Sequence, residues 1–265
     1  MRMMTIASGS SGNCIYIGSD KTHILIDTGI SRKKISEGLK KAELDMSDID
    51  AVLLTHEHSD HIKGLGVISR KDNIPIYTTK GTWEGIQASS GLGEIDSQLF
   101  NCIKPDESFK INDLVVNSFR VSHDANEPVA YRIECDDKSM AVATDLGFYD
   151  DYIIDNLKGC NSMVIEANHD VNLLQVGSYP YYLKQRILGK QGHLSNESSG
   201  RLIDQLLHDK CSNIFLGHLS KENNYDKLAY ETVKCEIDMS DSEFKAQDFN
   251  ISVARRDEPS QIINV

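Results

Sequence analysis

The sequence contains no apolar run approaching the ~18 residues that a membrane-crossing helix requires. Its opening residues, Met1-Arg2-Met3-Met4-Thr5-Ile6-Ala7, lack the apolar core of about 7–15 residues found in a signal peptide. The expectation is a soluble, cytoplasmic protein with no membrane partner. Positive charge is scarce: 28 Lys+Arg stand against 40 Asp+Glu, a formal net charge of -12. An acidic chain does not gather polyanions through its overall field. Any nucleic acid would have to be gripped locally, by bound cations and a basic patch. None of the 6 cysteines forms a Cys-x-x-Cys pair. They read as buried small side chains, kept as free thiols in a reducing compartment. There is no repeat, no low-complexity tract and no linker. With 265 residues, 40% of them hydrophobic, the chain can build one substantial core or two packed layers. A single domain over residues 1–265 is expected.

What is present is a mixture of short strands and helices. Met3–Ser8, Cys14–Ile17 and His23–Ile26 read as a meander with tight turns. Ala51–Thr55, Ser162–Glu166 and Asn213–Leu216 read as short buried strands, and Asn101–Thr144 as a further β region. Helical spacing predicts helices over His61–Lys71, Gly81–Ser89, Ser195–Leu207 and Lys221–Lys234. The pattern implies two sheets with helices outside them.

Five Asp or His residues stand just after apolar runs. They are Asp27, His56, His123, Asp145 and His218. Sites in layered α/β proteins collect at such strand ends, where a rigid sheet fixes the loops. The densest group is His56-Glu57-His58-Ser59-Asp60-His61. Three imidazoles and a carboxylate so close together would crowd one another unless a cation organised them. Their nitrogen and oxygen donors suit Zn²⁺, and also Mn²⁺ or Fe. Six residues cannot enclose one ion and leave a substrate position open. Two divalent ions, completed by His123, Asp145 and His218, fit better. His23 and His208 have no such company and read as ordinary structural histidines.

Thr55-His56-Glu57-His58-Ser59-Asp60-His61 resembles the signature motif of the metallo-β-lactamase superfamily. Asp27-Thr28-Gly29, His123, Thr144-Asp145 and Gly217-His218 match its other motifs in order. The resemblance covers nearly the whole chain and implies an α/β fold, the four-layer αββα sandwich, with metals at one edge. It implies that His56, His58 and His123 hold one ion, that Asp60, His61 and His218 hold the second, and that Asp145 bridges them. Asp27 would support the loop from outside the ligand set. The oxygen-reducing diiron branch usually has Glu where this chain has His58, which favours zinc or manganese over iron and hydrolysis over redox chemistry.

Three further segments bear on the substrate. Glu166-Ala167-Asn168-His169-Asp170 and Gly192-His193-Leu194-Ser195 resemble elements of the tRNA 3′-processing nucleases. That resemblance implies that Glu166 orients His193, and that His193 contacts the scissile phosphate or assists Asp60. Asn168 and Leu194 depart from the pattern, and the plainer alternative is that Glu166 and Ser195 are only local caps. The block Tyr179–Lys190 interleaves aromatic and basic residues, Lys184 and Arg186 among them. It suits phosphates and bases, or else it is an amphipathic surface helix. With its flanks it resembles the bacterial YycJ (WalJ) subfamily, which implies 5′-to-3′ exonuclease activity on double-stranded DNA. Gly9-Ser10-Ser11-Gly12-Asn13 could present backbone N–H groups to an anion or be a simple hairpin. Asn13, Asn168, Lys184, Arg186 and Ser195 are the substrate-contact candidates, and Asp60, His193 and Glu166 the catalytic ones. A small-molecule hydrolase (cyclic phosphodiesterase, thioesterase or lactonase) and a non-enzymatic metal-binding regulatory protein are the rival readings. Oligomeric state is not legible.

Overall fold

The computed structural model describes residues 1–265. Two seven-stranded sheets pack face to face. The first contains β1 (Arg2–Ala7), β2 (Cys14–Gly18), β3 (His23–Ile26), β4 (Ala51–Leu53), β5 (Ile76–Thr79) and β6 (Phe100–Ile103). The second contains β7 (Ser108–Ile111), β8 (Leu114–Arg120), β9 (Val129–Cys135), β10 (Lys138–Ala143), β11 (Ser162–Glu166), β12 (Asn213–Gly217) and β13 (Asn250–Val253). A last strand, β14 (Ile263–Asn264), returns to pair with β1. The helices are α1 (Arg32–Leu39), α2 (Ser59–Ile62), α3 (Leu65–Asp72), α4 (Lys80–Ala88), α5 (Asp151–Leu157), α6 (Val171–Val176), α7 (Tyr181–Leu188), α8 (Asn196–Leu206) and α9 (Asp226–Met239).

Strand order is β14-β1-β2-β3-β4-β5-β6 in one sheet and β13-β12-β11-β10-β9-β8-β7 in the other. Each sheet is antiparallel on one side and parallel on the other, with the change at β3 and at β10. The period-two alternation of a strand sets the layers. Ile24 and Ile26 face the second sheet while Leu25 faces out toward α1 and α3. On β10, Met140 and Val142 face in, and Ala141 and Ala143 face out toward α5, α8 and α9. Three apolar clusters result: 19 buried residues between the sheets, with 20 and 26 under the two helical layers. This is the expected αββα sandwich.

Four elements differ from the sequence expectation. The helix predicted over His61–Lys71 is broken into α2 and α3, because the Gly64 N–H donates to the Thr28 carbonyl at 2.7 Å instead of continuing the first helix. A Cβ on Gly64 would lie 2.3 Å from the Ile30 carbonyl oxygen, so the break needs glycine. The last long helix begins at Asp226 rather than Lys221, since Asn223 and Asn224 are buried, Asn223 N–H donating to the Ser220 hydroxyl and the Asn224 amide to the distant Ala167 carbonyl. Helix α6 and strand β14 carry little apolar periodicity and were not visible in the pattern. Tight turns at Asn112 and Asp136, with left-handed φ of 51° and 53°, join β7 to β8 and β9 to β10.

Candidate active site

Both sheets deliver side chains to the same edge. Asp27 ends β3, and the loop His56–His61 follows β4. From the second sheet come His123 after β8, Asp145 after β10, Glu166 at the end of β11 and His218 after β12. Asp27, Asp145 and His218 have left-handed backbones, with φ of 61°, 60° and 54°. That conformation costs a non-glycine residue about 1–3 kcal/mol and persists only where the surroundings impose it. Here it turns each chain sharply at a strand end, so that the side chain points along the sheet edge.

The Asp27-Thr28-Gly29 segment clasps the histidine loop by backbone bonds. Thr28 N–H donates to the His61 carbonyl and Asn13 N–H to the Asp60 carbonyl, both at 2.8 Å. Gly29 lies so close that a Cβ there would stand 1.7 Å from the Asp60 carbonyl oxygen. Gly29→Ala must therefore push the Asp60 loop aside. We expect it to cost about 3 kcal/mol in denaturant unfolding and to lower metal content in the same sample; wild-type stability in that variant would contradict the clasp.

Each imidazole is held at one nitrogen by a group outside the cluster and turns the other nitrogen toward the cluster. His61 Nδ1 lies 2.7 Å from Asp27 Oδ2, and His56 Nδ1 lies 3.0 Å from the Thr55 hydroxyl. His218 Nδ1 is 3.0 Å from Glu166 Oε1. His123 Nδ1 donates to the Gly192 carbonyl at 3.0 Å, and His58 Nε2 donates to the Asp124 carbonyl at 3.2 Å. Such outer acceptors set the tautomer and aim of a metal-binding imidazole. The consequence is specific for His58 and His123. Both spend their proton on a carbonyl, so the facing atoms, His58 Nδ1 and His123 Nε2, are bare lone pairs 3.3 Å apart. They cannot bond each other, and a cation between them removes the conflict. His56 Nε2 is buried with no partner, and Asp145 Oδ2 is buried without an aligned donor. A buried polar atom left unpaired is costly. The donor set therefore fits divalent metal.

The donor atoms group by distance. His56, His58 and His123 offer atoms within 4.8 Å of one another, as do Asp60, His61 and His218, and His56, His61 and Asp145. Asp145 lies 3.2 Å from His61 Nε2, 3.5 Å from His123 Nε2 and 3.5 Å from His218 Nε2. The charges are mutually adjusted. Burial would lower His61, yet the carboxylates of Asp27, Asp145 and Asp60 outweigh it and hold the imidazole well above its ordinary value. Burial opposes charge on His218 too, but Asp145, Asp60 and Glu166 push it up to about 10. Asp145 is held well below the carboxylate range by His218 and His61, against its own burial. His56 and His123 are lowered, chiefly by burial.

Glu166 is fully buried and fully used. Its Oε1 accepts from His193 Nδ1 at 2.8 Å and from His218 Nδ1, and its Oε2 accepts from the Leu146 and Leu194 N–H groups. Burial would raise its pKa, but His193 and His218 bring it down to about 2. A carboxylate so saturated orients its partners and does not shuttle protons. His193, with Nδ1 committed to Glu166, stands 3.6 Å from Asp145 Oδ1 and keeps Nε2 free.

The remaining candidates fall in different places. Asn168 donates to the His218 carbonyl at 2.9 Å, fixing the turn that carries this imidazole. Asn13 is buried, pins the Gly9 turn and lies 3.1 Å from His61 Nε2. Ser195 caps α8 by accepting from the Ser198 N–H. Lys184 is turned inward and donates to the Gln175 and Gly177 carbonyls at 2.8 and 2.7 Å. Arg186 grips both oxygens of Asp124. Asp124 was missed, although it follows His123 directly. Its carbonyl holds His58, and its carboxylate lies 3.4 Å from His123 Nε2. Thr55, which links Asp27, His56 and His61, was also overlooked because a hydroxyl beside a histidine cluster gives no pattern of its own. Tyr181 and Tyr182 stand exposed on α7.

Residues 22–210 match the family described as a beta-lactamase superfamily domain. The exodeoxyribonuclease WalJ of Streptococcus pneumoniae serotype 2 is 42% identical over 236 residues, covering 89% of this chain and 88% of that protein. The exodeoxyribonuclease YycJ of Bacillus anthracis is 39% identical over 233 residues, 88% of each chain. Among solved structures, Zn²⁺-bound PqqB from Methylobacterium extorquens superposes with a TM-score of 0.73 over 100% of both chains at 15% identity, which speaks to the fold alone. Its motifs, its αββα architecture and this alignment along nearly nine-tenths of its length place the chain in the β-lactamase superfamily, in the same branch as WalJ and YycJ.

Proposed function

We propose that this chain is a metal-dependent exonuclease that hydrolyses phosphodiester bonds in duplex DNA from the 5′ end. The observation that carries the reading is the alignment, over 88–89% of the chain, with proteins named exodeoxyribonucleases. The site supports it. His56, His58 and His123 would hold one ion and Asp60, His61 and His218 a second, with Asp145 placed between the two groups. Zinc and manganese both suit these donors. Bound ions of this kind supply positive charge that polarises a phosphoryl oxygen and makes water acidic enough to attack.

The chain's own groups complete the chemistry. Asp60 is partly exposed, 3.2 Å from His218 Nε2, where its carboxylate can orient an attacking water or accept its proton. Glu166 fixes His193 through Nδ1, and with a second proton on Nε2 the ring is an imidazolium that donates to charge developing on the phosphate. Substrate contact falls to different atoms than the composition suggests. Lys184 is occupied by two carbonyls and Arg186 by both oxygens of Asp124, so the exposed Tyr181 and Tyr182 are the better DNA contacts on α7. Asn13, Asn168 and Ser195 act mainly by shaping the turns around the ligands.

End-labelled duplex DNA, bis(p-nitrophenyl) phosphate and a thioester, each given to manganese- or zinc-loaded protein, test the reading. The expected result is stepwise release of nucleotides from the duplex and turnover of the phosphodiester, with the thioester untouched. Thioester hydrolysis without cleavage of either phosphodiester would sink it.

A further inference from the structure

A cleft of about 540 Å³ opens on the His123 side of the histidine cluster. His123 forms part of its wall, with Val121, Ala125, Pro128, Phe148 and Tyr152. Its size and apolar surfaces suit a small organic body. Phe148 and Tyr152 are each 39% exposed, so both rings keep surface open to solvent. Two exposed rings gathered in one concave wall mark a binding surface, as scattered ones would not. Phe148 follows Asp145 by three residues, so one loop places both the central carboxylate and this ring.

The wall is held in place. The Tyr152 hydroxyl accepts from the Arg120 N–H at 2.9 Å and donates to the Asp106 carboxylate. The Gly147 N–H donates to the Ser122 carbonyl at 2.8 Å, and the Ser122 hydroxyl donates to the Lys190 carbonyl at 2.7 Å. These bonds tie the loop carrying Phe148 to the segment carrying His123. The Lys190 ammonium stands 5.9 Å from the centre of the Phe148 ring. Lys190 is outside the cleft wall, so Phe148 turns toward the cleft a surface that the ammonium does not cover. Asp150, also in the wall, caps α5 by accepting from the Ile153 N–H. Two wall residues keep polar capacity. Arg120 reaches Asp106 through Nη1, which leaves Nε and Nη2 as donors. Gln191 is exposed, and its amide both donates and accepts.

The cleft thus offers an aromatic surface, an adaptable amide and a guanidinium, on a wall that begins at His123. A base joined to a phosphate brings matching parts. Every base has a π-face, and stacking on an aromatic ring tolerates any sequence. An amide that donates and accepts can meet the edge of any base, and a guanidinium suits an adjacent phosphate oxygen. We infer that this cleft seats the base of a nucleotide joined by the scissile phosphate, stacked on Phe148, with Gln191 at its edge and Arg120 on the neighbouring phosphate. The identity of the ligand rests on the nuclease reading above; the stacking surface does not. Such a seat reads flatness alone, so it passes every sequence and stalls where a base is missing.

Calorimetric titration of the metal-loaded full chain tests the seat without any cleavage. Deoxyadenosine 5′-monophosphate should bind about tenfold tighter than 2-deoxyribose 5-phosphate, a gap set by stacking. Phe148→Tyr keeps the ring and should keep the gap. Phe148→Leu keeps an apolar side chain without a π-face, and should shrink the gap below about threefold with metal content unchanged. Equal affinities in the wild type, or a gap that Phe148→Leu leaves intact, overturn the inference whether or not DNA is cleaved. A gap lost equally in Phe148→Tyr overturns it too, since the position would then matter for packing rather than for stacking. Base-dependent binding that needs the Phe148 ring, without any cleavage of DNA, supports the stacking seat and counts against the nuclease reading alone.

Discussion

His193→Ala should lower nucleotide release from duplex DNA by about 10²–10³-fold while bound metal stays at the wild-type stoichiometry. The imidazole is tied to the site through one atom, Glu166 Oε1, which also holds His218. Removing His193 leaves Glu166 with three donors and leaves His218 in place, so the ligand groups survive. The loss should appear in kcat on duplex DNA more than in KM, since the group acts on charge that builds up during the reaction. Glu166→Gln is the informative companion. It keeps the size but replaces an acceptor with a donor where two imidazoles donate, and it should disturb His193 and His218 together. Metal content measured beside kinetics distinguishes the two variants. Intact turnover in His193→Ala would remove the residue from the mechanism.

His58→Ala should abolish metal-dependent hydrolysis and strip metal from the protein in one step. Losing an outer group that merely orients a ligand costs ~10–100-fold in affinity or activity, and losing a donor itself should exceed that. The same deletion removes one of two facing lone pairs, His58 Nδ1 and His123 Nε2. The metal-free form of His58→Ala should therefore be no less stable than metal-free wild type, although the metal-loaded wild type stands above both. Inductively coupled plasma mass spectrometry and thermal melts with and without chelator read the two effects. Full metal occupancy in His58→Ala would contradict the proposed ligand set.

Much of this site was legible because its chemistry is written as strand followed by ligand. Short, mainly apolar runs followed within two residues by Asp or His marked Asp27, His56, His123, Asp145 and His218, and the fold brings all five to one edge. The mixture of short strands and helices pointed to two sheets with helices outside them, and the resemblance of the motifs implied the αββα sandwich. The parts that stayed hidden depend on what a backbone carbonyl or a long side chain does once folded. Asp124 matters through its main-chain oxygen, and the sequence of a residue says nothing of where its carbonyl points. Lys184 looked like a phosphate contact by charge, but the α6–α7 turn presents two carbonyls within its reach. The break at Gly64 was missed since its cause lies in Thr28 and Ile30, more than thirty positions away.

One feature of the architecture reaches beyond catalysis. The loop His56–His61 belongs to the first sheet, whereas His123, Asp145 and His218 belong to the second. Any ion taken up by His56, His58 and His123 is bonded to both halves at once, and so is one taken up by Asp60, His61 and His218. Metal would then act as a rivet through the sandwich as well as a reagent. Part of its binding energy would appear as adhesion between the halves. A chain that has not yet acquired its ions would spring open more often at this edge and offer its inner faces to proteases. The cell's metal supply would thus govern how long each copy lasts, as well as how fast it works.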